Sequence, residues 1–169
     1  WLLDERGAPA VGVTGVSLGG LVAAQLAAAE PRLSFAIPNV PVSTLADLVM
    51  EWEPMGTVLR RLASRGGWSL AEARQHLAPS SPLTWDPVIS KDRLFVIGGA
   101  GDRLAPPKHA RLLWEHWRRP RLHWFPGSHL LHFDRGRYLE EMARFLADTR
   151  FLRVTRTPDR PRPRARRRR

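Results

Sequence analysis

No cysteine occurs anywhere in the chain. Disulfide staples, thiolate nucleophiles and cysteine-bound zinc are therefore excluded. Lysine is almost absent as well: of 27 basic residues only Lys91 and Lys108 are lysines, the rest being arginine. There is one tyrosine. No apolar run reaches the roughly 18 residues a membrane-spanning helix needs. No G-x-G-x-x-G or G-x-x-x-x-G-K-[ST] segment occurs, so dinucleotide and nucleotide phosphate loops have no sequence support, and no cofactor or metal is expected. The first residue is Trp1 rather than Met. That start suggests a piece of a longer protein, and it removes the usual place to find a signal peptide. A cytoplasmic location is the default expectation.

What is present is ordinary in bulk. The 169 residues are 43% hydrophobic, enough for one domain with a core. The net charge of +11 suggests nucleic acid until its distribution is read. Residues 156–169 hold eight arginines and one aspartate, a net of +7, which leaves +4 for residues 1–155. The basic character is largely a tail. No specific nucleic-acid partner is expected; weak binding of the tail to an anionic surface is the remaining electrostatic option. Residues 153–169, rich in proline and arginine, lack the apolar content that offsets ordering entropy and are expected to be disordered.

Along the chain, residues 1–7 read as a helix end stopped by Gly7. Val11, Val13 and Val16 form a β-branched run typical of a buried strand. Leu21 to Glu30 is alanine- and leucine-rich and predicts a helix. Leu33 to Ile37 predicts a second strand, closed by Pro38 and Pro41. Residues 43–78 predict two or three helical pieces, with Ser69 and Glu72 forming a capping box, and 79–90 a loop. Arg93 to Ile97 predicts a third strand and Arg121 to Phe125 a fourth. A helix is expected from Pro106 or Pro107 to Trp117, and a last one over 134–148 with Asp134 as its cap. Strands alternating with helices imply an α/β domain: a mostly parallel sheet with helices on both faces, whose sites gather beyond the carboxyl ends of the strands.

Three points carry chemistry. Gly15-Val16-Ser17-Leu18-Gly19 has the G-x-S-x-G pattern in the required strand–turn–helix setting. Such a turn strains the serine backbone and projects its oxygen, while Gly15 and Gly19 leave room where strand meets helix. The amide of Leu18 opens the helix and can donate to an oxyanion. Asp102 follows the third strand and could hold a histidine, or could instead cap the next helix or pair with Arg103. His129 follows the fourth strand as a general base, with His132 as its close competitor. His123 reads as a strand residue, and His76, His109 and His116 as surface or packing residues.

Together, Gly-Val-Ser-Leu-Gly-Gly at 15–20, Gly-Asp-Arg-Leu-Ala-Pro-Pro at 101–107 and Phe-Pro-Gly-Ser-His at 125–129 resemble the α/β-hydrolases. The resemblance implies Ser17 as nucleophile, Asp102 as acid and His129 as base, in that chain order. It implies a hydrolase domain over residues 1–152, with 43–90 inserted as a helical cap and the 153–169 tail outside it. The implied function is a serine hydrolase, esterase-like, acting on a carboxylic ester or related small-molecule acyl substrate through an acyl-serine. The alternative is a non-catalytic binding protein of the same fold, or an inactive fragment. The superfamily's sheet has eight strands and only the last four are found here, so the loop supplying a second oxyanion donor is missing. Leu45, Leu48, Val49, Trp52 and Met55 are candidates for an acyl pocket, with simple packing as the alternative. Trp52, Trp68 and Trp85 read as core or cap anchors.

Overall fold

The computed structural model describes residues 1–152; the tail expectation falls on residues outside those described. Ten main elements follow one another: β1 (Val13–Val16), α1 (Leu18–Ala29), β2 (Ala36–Asn39), α2 (Leu45–Glu51), α3 (Met55–Arg65), α4 (Leu70–Leu77), β3 (Phe95–Gly99), α5 (Pro107–His116), β4 (Arg121–Phe125) and α6 (Arg135–Asp148). Short 3-10 turns lie at Ala78–Ser80 and Lys91–Arg93. The four strands form one parallel sheet in the order β1-β2-β3-β4.

Alternation along the strands divides the core between two faces. Ala36, Leu94 and Val96 face one way and pack with Ala24 and Ala27 of α1 and with Ala110, Leu113 and Trp117 at α5. Phe35, Ile37, Phe95, Ile97 and Phe125 face the other way, against Phe145 of α6. Every residue of β3 is buried, as suits a strand covered on both sides. The alanines of α1 let that helix approach the sheet closely. A third, smaller cluster of Leu21, Val42 and Ala105, with Leu45 and Leu48 against it, seats α2 at the carboxyl end of the sheet.

Several expectations are corrected. Residues 1–7 make a single turn, with Glu5 N–H donating to Trp1 O, and not a helix; Gly7 ends it at φ +65°. The second strand starts at Ala36 rather than Leu33 and runs through Pro38 instead of stopping there. Val40 N–H donates to Ile97 O, so the even positions of β2 face β3. Pro38 is one of these and has no N–H to give. The β2–β3 ladder is accordingly sparse, with Asn39 opposite Ile97 and one bridge from Ala36 to Leu94. The third strand begins at Phe95, because Arg93 lies in a 3-10 turn.

The 43–90 segment carries α2, α3 and α4 between β2 and β3. The capping box is present in full: the Ser69 hydroxyl accepts from Glu72 N–H and the Glu72 carboxylate accepts from Ser69 N–H. Arg74 of α4 donates to the buried carboxylate of Asp47, tying α4 to α2. Leu45 and Leu48 pack inward, whereas Val49, Trp52 and Met55 face solvent. Trp52, Trp68 and Trp85 are each more than half exposed and anchor no core. β1 is an edge strand among the described residues, and Val16, Leu18 and Val22 beside it are exposed. No helix among the described residues is long and apolar enough to cross a membrane.

Candidate active site

The turn from β1 into α1 is as tight as its glycines require. Ser17 is the only residue between Val16, the last of the strand, and Leu18, the first of the helix, and sits at φ 59° and ψ −117°. A positive φ costs a non-glycine residue on the order of 1–3 kcal/mol, and such strain persists only where the surroundings impose it. Here they do. Ser17 N–H donates to Asn39 O at 2.9 Å, extending the β1–β2 ladder into the turn. A Cβ on Gly15 would lie 2.1 Å from Gly19 O, and one on Gly20 would lie 2.9 Å from Asn39 O. The expected steric role of Gly19 is corrected: a Cβ there would meet nothing within 4 Å. The crowding falls on Gly15 and Gly20, and Gly19 takes part through its backbone. Leu18 N–H is in the first turn of α1 and has no acceptor within the helix.

Asp102 lies in the loop after β3 and is almost fully buried. Its Oδ1 accepts from Leu104 N–H and Ala105 N–H, both at 2.9 Å, and its Oδ2 meets His129 Nδ1 at 2.6 Å. Of the roles left open by the sequence, Oδ2 takes that of holding the histidine, while Oδ1 shapes the loop and does not cap α5, whose N-cap is Pro106 with no side-chain bond. No salt bridge joins Asp102 to Arg103 among the described residues. The His129 side chain is 11% exposed and that of Asp102 is 0%. This pair is desolvated, which strengthens its hydrogen bond.

The loop of residues 126–134 that carries His129 closes on itself. Gly127 and His132 form an antiparallel bridge, Ser128 N–H donates to Leu131 O, and Phe133 N–H donates to Pro126 O. Gly127 stands at φ +144°, and a Cβ there would lie 2.0 Å from Leu131 O. Gly101 N–H donates to Gly127 O at 2.8 Å, fastening this loop to the one that bears Asp102. His132, the competing histidine, lies in the loop and not in α6. Its ring stacks on Phe125 with centroids 3.8 Å apart and meets Tyr138 edge-on at 5.6 Å. Burial, then the charges of Arg135 and His129, hold its pKa below the usual value.

The structure therefore joins Asp102 to His129 and places Ser17, as expected, past the end of β1, at the same carboxyl end of the parallel strands. No hydrogen bond joins Ser17 to His129 among the described residues. His123 sits within β4 facing Tyr138, and His76 and His116 lie on helix surfaces near Trp68 and Trp85 O. His109 is fully buried in α5, where its Nδ1 accepts from Ser43 N–H. Two residues near the site went unread in the sequence. Asn39, at the end of β2, donates through Nδ2 to Tyr138 Oη at 3.0 Å. Tyr138 is the sole tyrosine and falls on the face of α6 shared by Met142 and Phe145, which is the signal that could have marked it. A cavity of about 190 Å³ lined by Thr44, Leu45, Arg74, Leu77 and Ser81 touches none of Ser17, Asp102 and His129. Among the described residues no three His, Asp or Glu side chains are grouped as a metal would require.

No protein-family model matches the chain. The uncharacterized protein Rv2627c of Mycobacterium tuberculosis is 30% identical over 138 residues, which cover 76% of this chain and 30% of that protein. The chain thus spans less than a third of the length of this curated relative. Among solved structures, puromycin hydrolase matches with a TM-score of 0.64 at 20% identity, over 93% of this chain and 25% of that one. The Pyrococcus furiosus esterase Pf2001 matches with a TM-score of 0.61 at 17% identity, over 87% of this chain and 57% of that one. The fold is that of the α/β-hydrolases. Ser17, Asp102 and His129 lie past the carboxyl ends of β1, β3 and β4.

Proposed function

We propose that the protein is a serine hydrolase that cleaves a carboxylic ester, or a related acyl compound, through an acyl-serine. The observation that carries this reading is the desolvated 2.6 Å contact between Asp102 and His129, at the same carboxyl end of the sheet as a strained serine. Asp102 fixes the tautomer with the proton on Nδ1, which leaves Nε2 free to act as a base. Ser17 Oγ attacks the acyl carbon as His129 Nε2 takes its proton. The oxygen that gains charge is met by Leu18 N–H, at the positive end of α1. His129 then gives its proton to the departing alcohol, and water repeats the sequence to release the acid. The structural neighbours, an esterase and a puromycin hydrolase, agree with acyl chemistry.

Ester is the default acyl donor by analogy with the fold, and thioesters and amides suit the same three residues. A set of p-nitrophenyl esters of increasing chain length tests the reading. Ser17→Ala and Asp102→Asn should each lower kcat/KM by about 10,000-fold or more, with the fold retained by circular dichroism. One observation favours a second reading, a binding protein of the same fold: Ser17 is not hydrogen-bonded to His129. A folded protein that turns over none of these esters, and whose ligand binding Ser17→Ala leaves untouched, would decide for it.

A further inference from the structure

The two halves of the site hang on loops at opposite ends of the sheet order, Ser17 after β1 and His129 after β4. A chain of contacts runs between the two, beginning at the nucleophile turn. Ser17 N–H donates to Asn39 O, Asn39 Nδ2 donates to Tyr138 Oη, and the Tyr138 ring meets His132 edge-on. His132 in turn stacks on Phe125 and closes the His129 loop through its bridge to Gly127. We propose that Asn39, Tyr138 and His132 form a brace that fixes the distance between Ser17 and the Asp102–His129 pair. This rests on the hydrolase reading above, and all three are positioning residues in that reaction.

Stability alone does not account for the brace. Asn39 and Tyr138 adjoin a cluster that is otherwise apolar, made of Phe35, Ile37, Val40, Phe95, Ile97, Phe125 and Phe145. Asn39 is 2% exposed, and its Oδ1 has no hydrogen-bond partner. A buried acceptor left unpaired destabilises a fold, and an apolar side chain of similar size would avoid that cost. The amide is explained by what its Nδ2 reaches, the one phenol on α6. Burial keeps that phenol neutral, raising its pKa, so it remains a hydrogen-bonding hydroxyl across the working range. His132 contributes its ring face: the stack needs a flat, neutral ring and no titrating nitrogen.

The test measures the second-order rate at which a fluorophosphonate labels Ser17 in the purified protein, with the Nδ1–H proton resonance of His129 as a second readout. Tyr138→Phe and Asn39→Leu should each slow labelling about 10- to 100-fold, the scale of a misplacement of roughly 1 Å. The double variant should be no slower than either single one, because both cut the same link. The His129 resonance should stay in place, because Asp102 is untouched; general loosening of the fold would shift it. His132→Phe should label within about threefold of the unaltered protein, while His132→Ala falls about tenfold or more. Single-variant losses that multiply in the double, or unchanged rates, would overturn the brace. So would a His132→Phe loss as deep as that of His129→Ala, since His132 would then be the base. If Tyr138→Phe fails to fold, Asn39→Leu and the His132 pair decide. An unlabelled Ser17 in the unaltered protein would reject the hydrolase reading and the brace with it, whereas a labelled Ser17 insensitive to these changes rejects the brace alone.

Discussion

Gly15 and Gly19 occupy symmetric places in the G-x-S-x-G pattern, yet their surroundings differ. A Cβ on Gly15 would press on the Gly19 carbonyl at 2.1 Å, a backbone atom with nowhere to go, while a Cβ on Gly19 finds open space. Gly15→Ala should therefore destabilise the protein by about 3 kcal/mol or more, in the range reserved for overpacking and backbone strain. Gly19→Ala, at a helical position with room, should be neutral or stabilising by up to about 1 kcal/mol. Urea unfolding of both variants checks this, and equal losses would mean that the motif acts as a unit rather than through one steric clash. At this scale the sequence was legible where chemistry and geometry demand one residue type. Ser17, Asp102 and His129 were marked by pattern and order, and they lie one, three and four residues past the ends of β1, β3 and β4. Asn39 was not legible, because an asparagine between two prolines reads first as a turn former.

Among the elements, β4 and α5 match their expected spans closely, since Arg121–Phe125 is bounded by Pro120 and Pro126 and α5 opens on Pro107. The capping box at Ser69 was legible because it is a local rule. β2 was misplaced because its register depends on partners distant in sequence: pairing with β1 sets Pro38 opposite Gly15, which no local rule foresees. The same dependence on distant partners governs α6. Phe145 is 1% exposed and holds that helix against Phe35 and Phe95, with ring centroids at 6.2 Å and 5.1 Å. Phe145→Ala should cost about 3–5 kcal/mol by denaturant unfolding. A loss below about 1 kcal/mol would mean that α6 does not depend on this contact.

For the whole molecule, three histidines contribute to the response to mild acid. His109, His123 and His132 are each held below the ordinary value of 6.5, chiefly by burial. Burial makes them harder to protonate in the fold than in the unfolded chain, so the unfolded chain takes up protons first as pH falls through about 6.5. Stability should therefore be level above about pH 7 and decline as pH falls below that. Asp47, whose carboxylate Arg74 holds below its usual range against the opposing effect of burial, adds a further loss only in stronger acid. Urea midpoints at pH 7.5 and 5.5 check the sign; a higher midpoint at 5.5 would mean that these rings are charged in the fold. The central claim, that the three strand ends assemble an activated serine, is tested most directly by treating the protein with a fluorophosphonate and locating the adduct by mass spectrometry. A stoichiometric adduct on Ser17 that disappears in His129→Ala is the predicted result. A folded protein that takes up no adduct, or takes it elsewhere, would contradict the assignment of all three residues together.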